Sequence, residues 1–170
     1  MKKLGLMLVL CLALPLAGFA ATSSSNVTTC PVKTITFDDG DSFACGDEMI
    51  RVLGVDTPEV KHEAHGIYKD QAYGPEASAF TNGLLKQAKK VQLVRAGKDK
   101  YGRILAHVLI DGKLLGAQLI KAGLAYETIS HYGDNGLPTY AKQIMSAAAK
   151  APQPKFEQPY LWRKKNQRKK

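Results

Sequence analysis

The chain has 170 residues, 45% of them apolar and 23% charged, with a formal net charge of +9 and three cysteines. That length supports one domain with a real core and excludes two ordinary ones, and the composition excludes a disordered chain. The positive balance favours acidic partners, nucleic acid or an anionic membrane surface, without choosing between them.

Met1-Lys2-Lys3 is a short basic stretch, Leu4 to Gly18 is an apolar run interrupted by Pro15, and Gly18-Phe19-Ala20 sets small residues before a cut after Ala20. This is the layout of a secretory signal peptide, and the run is short for a membrane span. Residues 1–20 are therefore expected to be removed, which takes away two lysines and no acid and leaves a formal charge of +7. The expected location is secreted or periplasmic, with no stable membrane insertion after cleavage. Cys30 and Cys45 remain, and in an oxidising compartment they are either a disulfide or two free thiols.

Residues 21–30 are rich in Ser, Thr and Asn and read as a flexible leader. Val32 to Phe37 alternates apolar with polar and predicts a strand, and Asp38-Asp39-Gly40 a turn. Ser42–Ala44 and Met49–Val55 predict the next two strands; Val60–Tyr73 reads as an exposed loop. Gly74-Pro75-Glu76 opens a helix, with Ala77, Phe80, Leu84, Leu85 and Ala88 along one face. Lys90–Val94 and Ile104–Ile110 predict two more strands around a polar loop. Asp111-Gly112 is a hairpin turn, Leu114–Ala122 a helix closed by Gly123, and Pro138 opens a helix to about Lys150. Pro152, Pro154 and Pro159 are expected to break regular structure until Leu161-Trp162, and residues 163–170 read as a solvated basic tail. The order predicts an α+β fold, a small barrel with helices packed outside, over residues 31–162.

The chemistry concentrates in two places. Asp41 begins a strand beside a turn and Asp56 ends another, so two carboxylates converge if those ends meet. Such a concentration of negative charge calls for a hard cation, calcium or magnesium, given oxygen donors. Pro58 fixes the chain after Thr57 and sets the angle of the Thr57 carbonyl and of the Glu59 side chain. Arg51 sits in an apolar strand and Arg103 after Gly102, where each guanidinium needs an anion, either a structural carboxylate or a substrate phosphate. His62, His65 and His107 lack the companion ligands a zinc site needs, and no metal role is expected for them.

Read together, Asp39-Gly40-Asp41-Ser42, Arg51 with Val52-Leu53-Gly54-Val55, Asp56-Thr57-Pro58-Glu59, Tyr73-Gly74-Pro75-Glu76-Ala77, Asp99-Lys100-Tyr101-Gly102-Arg103, Asp111-Gly112-Lys113 and Gly123-Leu124-Ala125 closely resemble the staphylococcal nuclease (thermonuclease) family. The resemblance runs from about Val32 to Ala149. It implies a five-stranded OB-type β-barrel with three packed helices. It implies one calcium per active site, held by Asp41, Asp56 and the main-chain carbonyl of Thr57, with Glu59 beside it and a water. It implies that Arg51 and Arg103 grip the scissile phosphate and that Lys100 and Tyr101 lie by a neighbouring one. It further implies hydrolysis of DNA and RNA that leaves 3′-phosphate and 5′-hydroxyl ends; phosphate-directed contacts predict low sequence specificity, and a monomer is expected.

The chain departs from the family pattern in carrying Ser42 where threonine is usual, and Ile129 and His131 where pocket tyrosines occur; Tyr126 or Tyr132 is the expected substitute for stacking on a base. Trp162 matches a late tryptophan expected to pack on the barrel. The rival expectation is a catalytically inactive, basic OB-type nucleic-acid-binding module, which would lack one of Arg51, Glu59 or Arg103.

Overall fold

The computed structural model describes residues 26–168; the segment 1–20 expected to direct export lies outside the described residues. The fold is α+β. Nine strands are described: β1 (Val27–Cys30), β2 (Ile35–Phe37), β3 (Ser42–Cys45), β4 (Glu48–Val52), β5 (Val55–Asp56), β6 (Val91–Lys98), β7 (Ile104–Ile110), β8 (Lys113–Leu114) and β9 (Tyr126–Glu127). Five α-helices accompany them: α1 (Gly74–Gln87), α2 (Leu115–Lys121), α3 (Ile129–Tyr132), α4 (Pro138–Ala148) and α5 (Pro159–Asn166).

The main sheet runs β1-β6-β7-β4-β3-β2, with β8 paired to β7, and β5 pairs separately with β9. All pairings in the main sheet are antiparallel except β4 with β7, where Ile50 faces Ile104 and Arg51 faces Leu105. The chain passes from β1 at one edge through a 3-10 turn, Val32–Thr34, into β2 at the other edge, which curls the sheet on itself. Cys30 and Cys45 join these two sides as a disulfide, with Cα atoms 5.9 Å apart. The core fills the curl and the space under the helices. It includes Phe43, Ile50, Val52, Leu93, Ala106 and Val108 from strands, Leu85 from α1, Leu115 and Leu119 from α2, and Ile144 from α4.

Three expectations from the sequence are corrected. Residues 27–30 are not part of a flexible leader but form β1, paired with Val91–Val94 of β6. The side chains of Val27, Thr28 and Thr29 remain exposed and only Cys30 is buried, so the strand is held by its backbone ladder and shows no alternation. Strand β6 continues to Lys98 across a register shift between Arg95 and Gly97, where a polar loop was expected. Residues 163–166 are not a solvated tail but the second half of α5. Pro159 occupies the start of that helix, where its missing N–H has no partner to lose, and Pro159 and Trp162 are buried.

Candidate functional site

The Asp38–Asp41 turn between β2 and β3 is braced from within: the Asp41 N–H donates to Asp39 Oδ1 at 3.0 Å, and the Asp39 N–H to the Ser42 carbonyl at 3.1 Å. Gly40 sits where a β-carbon would lie 2.8 Å from Thr57 Oγ1 and 3.0 Å from Ala77 of α1, so only glycine lets this turn press against both. Thr81 of α1 adds a hydrogen bond from Oγ1 to the Gly40 carbonyl at 2.6 Å. As a result the start of β3 meets the end of β5. The Thr57 N–H donates to Asp41 Oδ2 at 2.8 Å, and Ser42 Oγ donates to Asp41 Oδ1 at 3.2 Å. Asp41 is 1% exposed and Asp56 7%, so their charges are compensated from inside the protein.

Arg51 supplies part of that compensation. One terminal nitrogen pairs with Asp41 Oδ1 and the other with Asp56 Oδ1 at 2.9 Å. The two carboxylates therefore converge on a single positive group, the arrangement a bound cation would also exploit. A second guanidinium comes from Arg163 of α5, which sequence reasoning had left in the tail. Its Nη1 donates to Asp56 Oδ1 at 3.1 Å and to Glu59, and its Nη2 donates to Asp56 Oδ2 at 2.9 Å. Burial works against charge on Arg163, but Asp56 and Glu59 outweigh it and hold the guanidinium protonated more firmly than usual. Burial pushes the Glu59 carboxyl above the usual carboxylate range, opposed by Arg163 and reinforced by Asp39 and Asp56.

Glu59 is also fixed through its backbone. Its N–H donates to Gln71 Oε1 at 3.2 Å, and its carbonyl accepts from the Gln71 N–H at 2.8 Å. Gln71 is buried, and its Nε2 donates to the Glu157 carbonyl at 2.6 Å, just ahead of α5. A β-carbon at Gly74 would stand 2.2 Å from the Glu59 carbonyl oxygen, so glycine is what lets α1 start against this loop. Gln71 and Arg163 are the residues sequence reasoning missed. A polar glutamine in a polar loop gives no signal, but Arg163 directly follows Trp162, and a buried anchor beside an arginine was the available clue.

Arg103 borders the site from the β6–β7 turn. Its Nε donates to Asp99 Oδ2 at 2.7 Å, while Asp99 Oδ1 accepts the N–H groups of Tyr101 at 2.9 Å and Arg103 at 3.0 Å. Parallel pairing sets Leu105 beside Arg51, and Arg103 shares the Leu105 face by strand alternation. Asp39 links the two arginines: burial raises its pKa, and both Arg51 and Arg103 pull it back. Lys100 and Tyr101 stand further out. Tyr101 is 73% exposed, with the Lys100 ammonium 5.0 Å and the Arg103 guanidinium 5.7 Å from its ring centre.

On the α5 side lies a cavity of about 370 Å³ lined by Asp56, Tyr126, Thr128, Tyr132, Tyr160 and Leu161 among others. Tyr126 is tied down, its hydroxyl donating to the Phe156 carbonyl at 2.8 Å, whereas Tyr132 is exposed. Of the two, Tyr132 is the more exposed, with its ring in edge contact with His131 at 4.5 Å between centroids, and Tyr126 packs edge-on against Phe156.

A family model for staphylococcal nuclease homologues matches residues 49–164. The chain belongs to this family. It is 41% identical over 80 residues to a thermonuclease of Staphylococcus intermedius, covering 46% of each chain. It is 34% identical over 112 residues to a thermonuclease of Staphylococcus hyicus, covering 63% of this chain and 64% of that one. It is 32% identical over 132 residues to an uncharacterized endonuclease of Haemophilus influenzae, covering 75% and 66%. The chain thus spans between about half and two thirds of the length of these staphylococcal nuclease relatives. The family match begins after Asp41, so the place of that residue in the site rests on its contacts with Thr57 and Arg51.

Proposed function

We propose that this protein is an exported, calcium-dependent phosphodiesterase that hydrolyses DNA and RNA with little sequence preference, leaving 3′-phosphate and 5′-hydroxyl ends and acting as a monomer. The observation that carries the reading is the convergence of Asp41 and Asp56 on one guanidinium, with Glu59 held alongside. The two buried carboxylates and the main-chain carbonyl of Thr57 would offer an all-oxygen donor set, which suits a hard cation. Among the described residues no group of three or more His, Cys, Asp or Glu side chains is placed to hold a metal ion, so the reading relies on these two carboxylates together with a main-chain oxygen. When bound, the cation would neutralise the two aspartates and draw the anionic substrate to them.

The rest of the chemistry belongs to the chain. Arg51 would leave its carboxylates for the scissile phosphate, and Arg103 would join it, held in line by Asp99. Their charge stabilises the five-coordinate state, which carries more negative charge on the equatorial oxygens than the ground state. Glu59 would orient the attacking water and accept its proton while the bond from phosphorus to the 5′-oxygen breaks and that oxygen takes a proton from solvent water, a role favoured by a carboxyl whose pKa lies above the usual range. These contacts address phosphate and not base edges, in keeping with low sequence preference. Lys100 and Tyr101 would lie along a neighbouring phosphate.

Retention of Arg51, Glu59 and Arg103 together supports hydrolysis over an inactive binding module. Export is supported by the apolar segment Leu4–Gly18 and by the Cys30–Cys45 disulfide, which persists in oxidising compartments. No helix among the described residues is long and apolar enough to cross a membrane. The test is digestion of plasmid DNA and of RNA with calcium, with end-group analysis of the products. Full activity in the presence of a chelator would sink the cation assignment, and no cleavage at any calcium concentration would sink the enzyme.

A further inference from the structure

The site contains more positive charge than the reaction described above uses. Arg163 reaches Asp56 from 107 residues away in the chain and touches neither Asp41 nor the Asp99–Arg103 turn. We infer that Arg163 is a tethered counter-ion of the cation site: it neutralises Asp56 and Glu59 in the metal-free protein, holds the two carboxylates together, and competes with the divalent cation for Asp56. The inference rests on the cation reading above.

The tether is structural. Ahead of α5, Gln71 grips the Glu157 carbonyl and Tyr126 the Phe156 carbonyl. Within α5, Pro159 and Trp162 are buried. After it, the Arg168 N–H donates to the Gly66 carbonyl at 3.0 Å, and Gln167 Nε2 to the His65 carbonyl at 2.8 Å. The Arg163 backbone is therefore pinned on both sides, unlike the mobile lysines and arginines of an ordinary surface.

The fork geometry does the rest. Both oxygens of Asp56 accept from Arg163, and Oδ1 also accepts from Arg51. Nη1 of Arg163 bridges Asp56 to Glu59, so one planar group sets the spacing of the two acids. Without such compensation, burying these carboxylates together would destabilise the fold. A divalent cation that binds Asp56 must share it with a guanidinium that cannot retreat far. The like charge lowers cation affinity, and the concentration of cation needed for occupancy rises accordingly.

The experiment compares the wild-type chain with R163A and R163K, by calorimetric titration with calcium and by thermal unfolding with and without it. R163A is expected to bind calcium roughly tenfold more tightly. It should also melt several degrees lower without calcium and recover most of that loss when saturated. R163K keeps the charge without the fork, and should keep calcium affinity near wild type while recovering part of the metal-free stability. Unchanged or weaker calcium binding by folded R163A overturns the inference, as does an R163K variant that matches R163A. If R163A does not fold alone, the inference requires calcium to rescue it, and failure of rescue counts against it. A wild-type protein that gives no calcium heat sinks the cation reading itself, a result distinct from any of these.

Discussion

The main-chain N–H of Thr57 donates to the Asp41 carboxylate at 2.8 Å, 16 residues away in sequence and fully buried. This bond joins the turn after β2 to the end of β5, and it gives Asp41 a structural duty beside its proposed chemical one. Asp41→Ala should cost about 2–3 kcal/mol, because it leaves a buried N–H without an acceptor and removes a partner of Arg51. Asp41→Asn keeps an acceptor oxygen and should lose much less stability, yet abolish calcium binding as fully as the alanine. Urea unfolding beside calcium calorimetry separates the two effects; equal destabilisation by both variants would rule out the hydrogen bond as the cause.

Arg51 and Arg103 should separate in the same measurements. Arg103→Ala loses the proposed phosphate ligand and a partner of Asp99, and its kcat should fall by roughly two to four orders of magnitude with calcium affinity unchanged. Arg51→Ala should lose activity to a similar extent, but it also removes the guanidinium shared by Asp41 and Asp56, so it should bind calcium more tightly than wild type even with Arg163 still on Asp56. Weaker calcium binding by Arg51→Ala would show that Arg51 supports the carboxylates and does not compete for them.

His107 predicts a pH dependence remote from the site. It is 1% exposed, packs 5.4 Å from the Tyr140 ring, and neither ring nitrogen has a hydrogen-bond partner of good geometry. Burial pushes its pKa from 6.5 down to about 4, offset only in part by the nearby Leu53 backbone. Between those values the unfolded chain takes up a proton that the folded one refuses. This contribution to stability is therefore complete above pH 6.5 and is lost as pH falls toward 4, by up to about 3 kcal/mol. His107→Gln should flatten the dependence of melting temperature on pH across that window, and an unaltered slope would refute the assignment.

The Cys30–Cys45 disulfide joins β1, at one edge of the sheet, to β3, beside the other. Reduction, or the double change to serine, should cost about 3 kcal/mol by releasing a loop with a sequence separation of 15 residues. The loss should fall on β1, whose side chains bury little else, and amide exchange along Val27–Thr29 should rise before that of β7. Uniform exchange across the sheet would contradict this.

The sequence was most informative where packing and local chemistry agree. Gly74-Pro75-Glu76 announced α1, and the run Ile104–Ile110, apolar except for His107, made β7 plain. The acids and arginines at turn and strand ends were legible as candidates because each is costly to bury alone. β1 was hidden because an exposed edge strand needs no alternation. α5 was hidden because three prolines in close succession resemble a broken chain, although the last of them opens a helix. Arg163 was hidden by its neighbours: in Arg163-Lys164-Lys165 one charge turns inward and two remain in solvent. One-dimensional patterning does not distinguish them, since the acids that claim Arg163 lie 107 and 104 residues away in the sequence.

The parallel pairing of β4 with β7 has a consequence for when activity arises. Ile50 faces Ile104 with α1 and β6 lying between them in the chain, a contact of high sequence separation of the kind that slows folding. Asp41, Arg51, Asp56, Arg103 and Arg163 each arrive on a different segment, so no fragment of the chain assembles the site. On the proposed function, a partly folded molecule would consequently be inert toward nucleic acid. The onset of cleavage after dilution from denaturant should coincide with the last step of folding and serve as its clock.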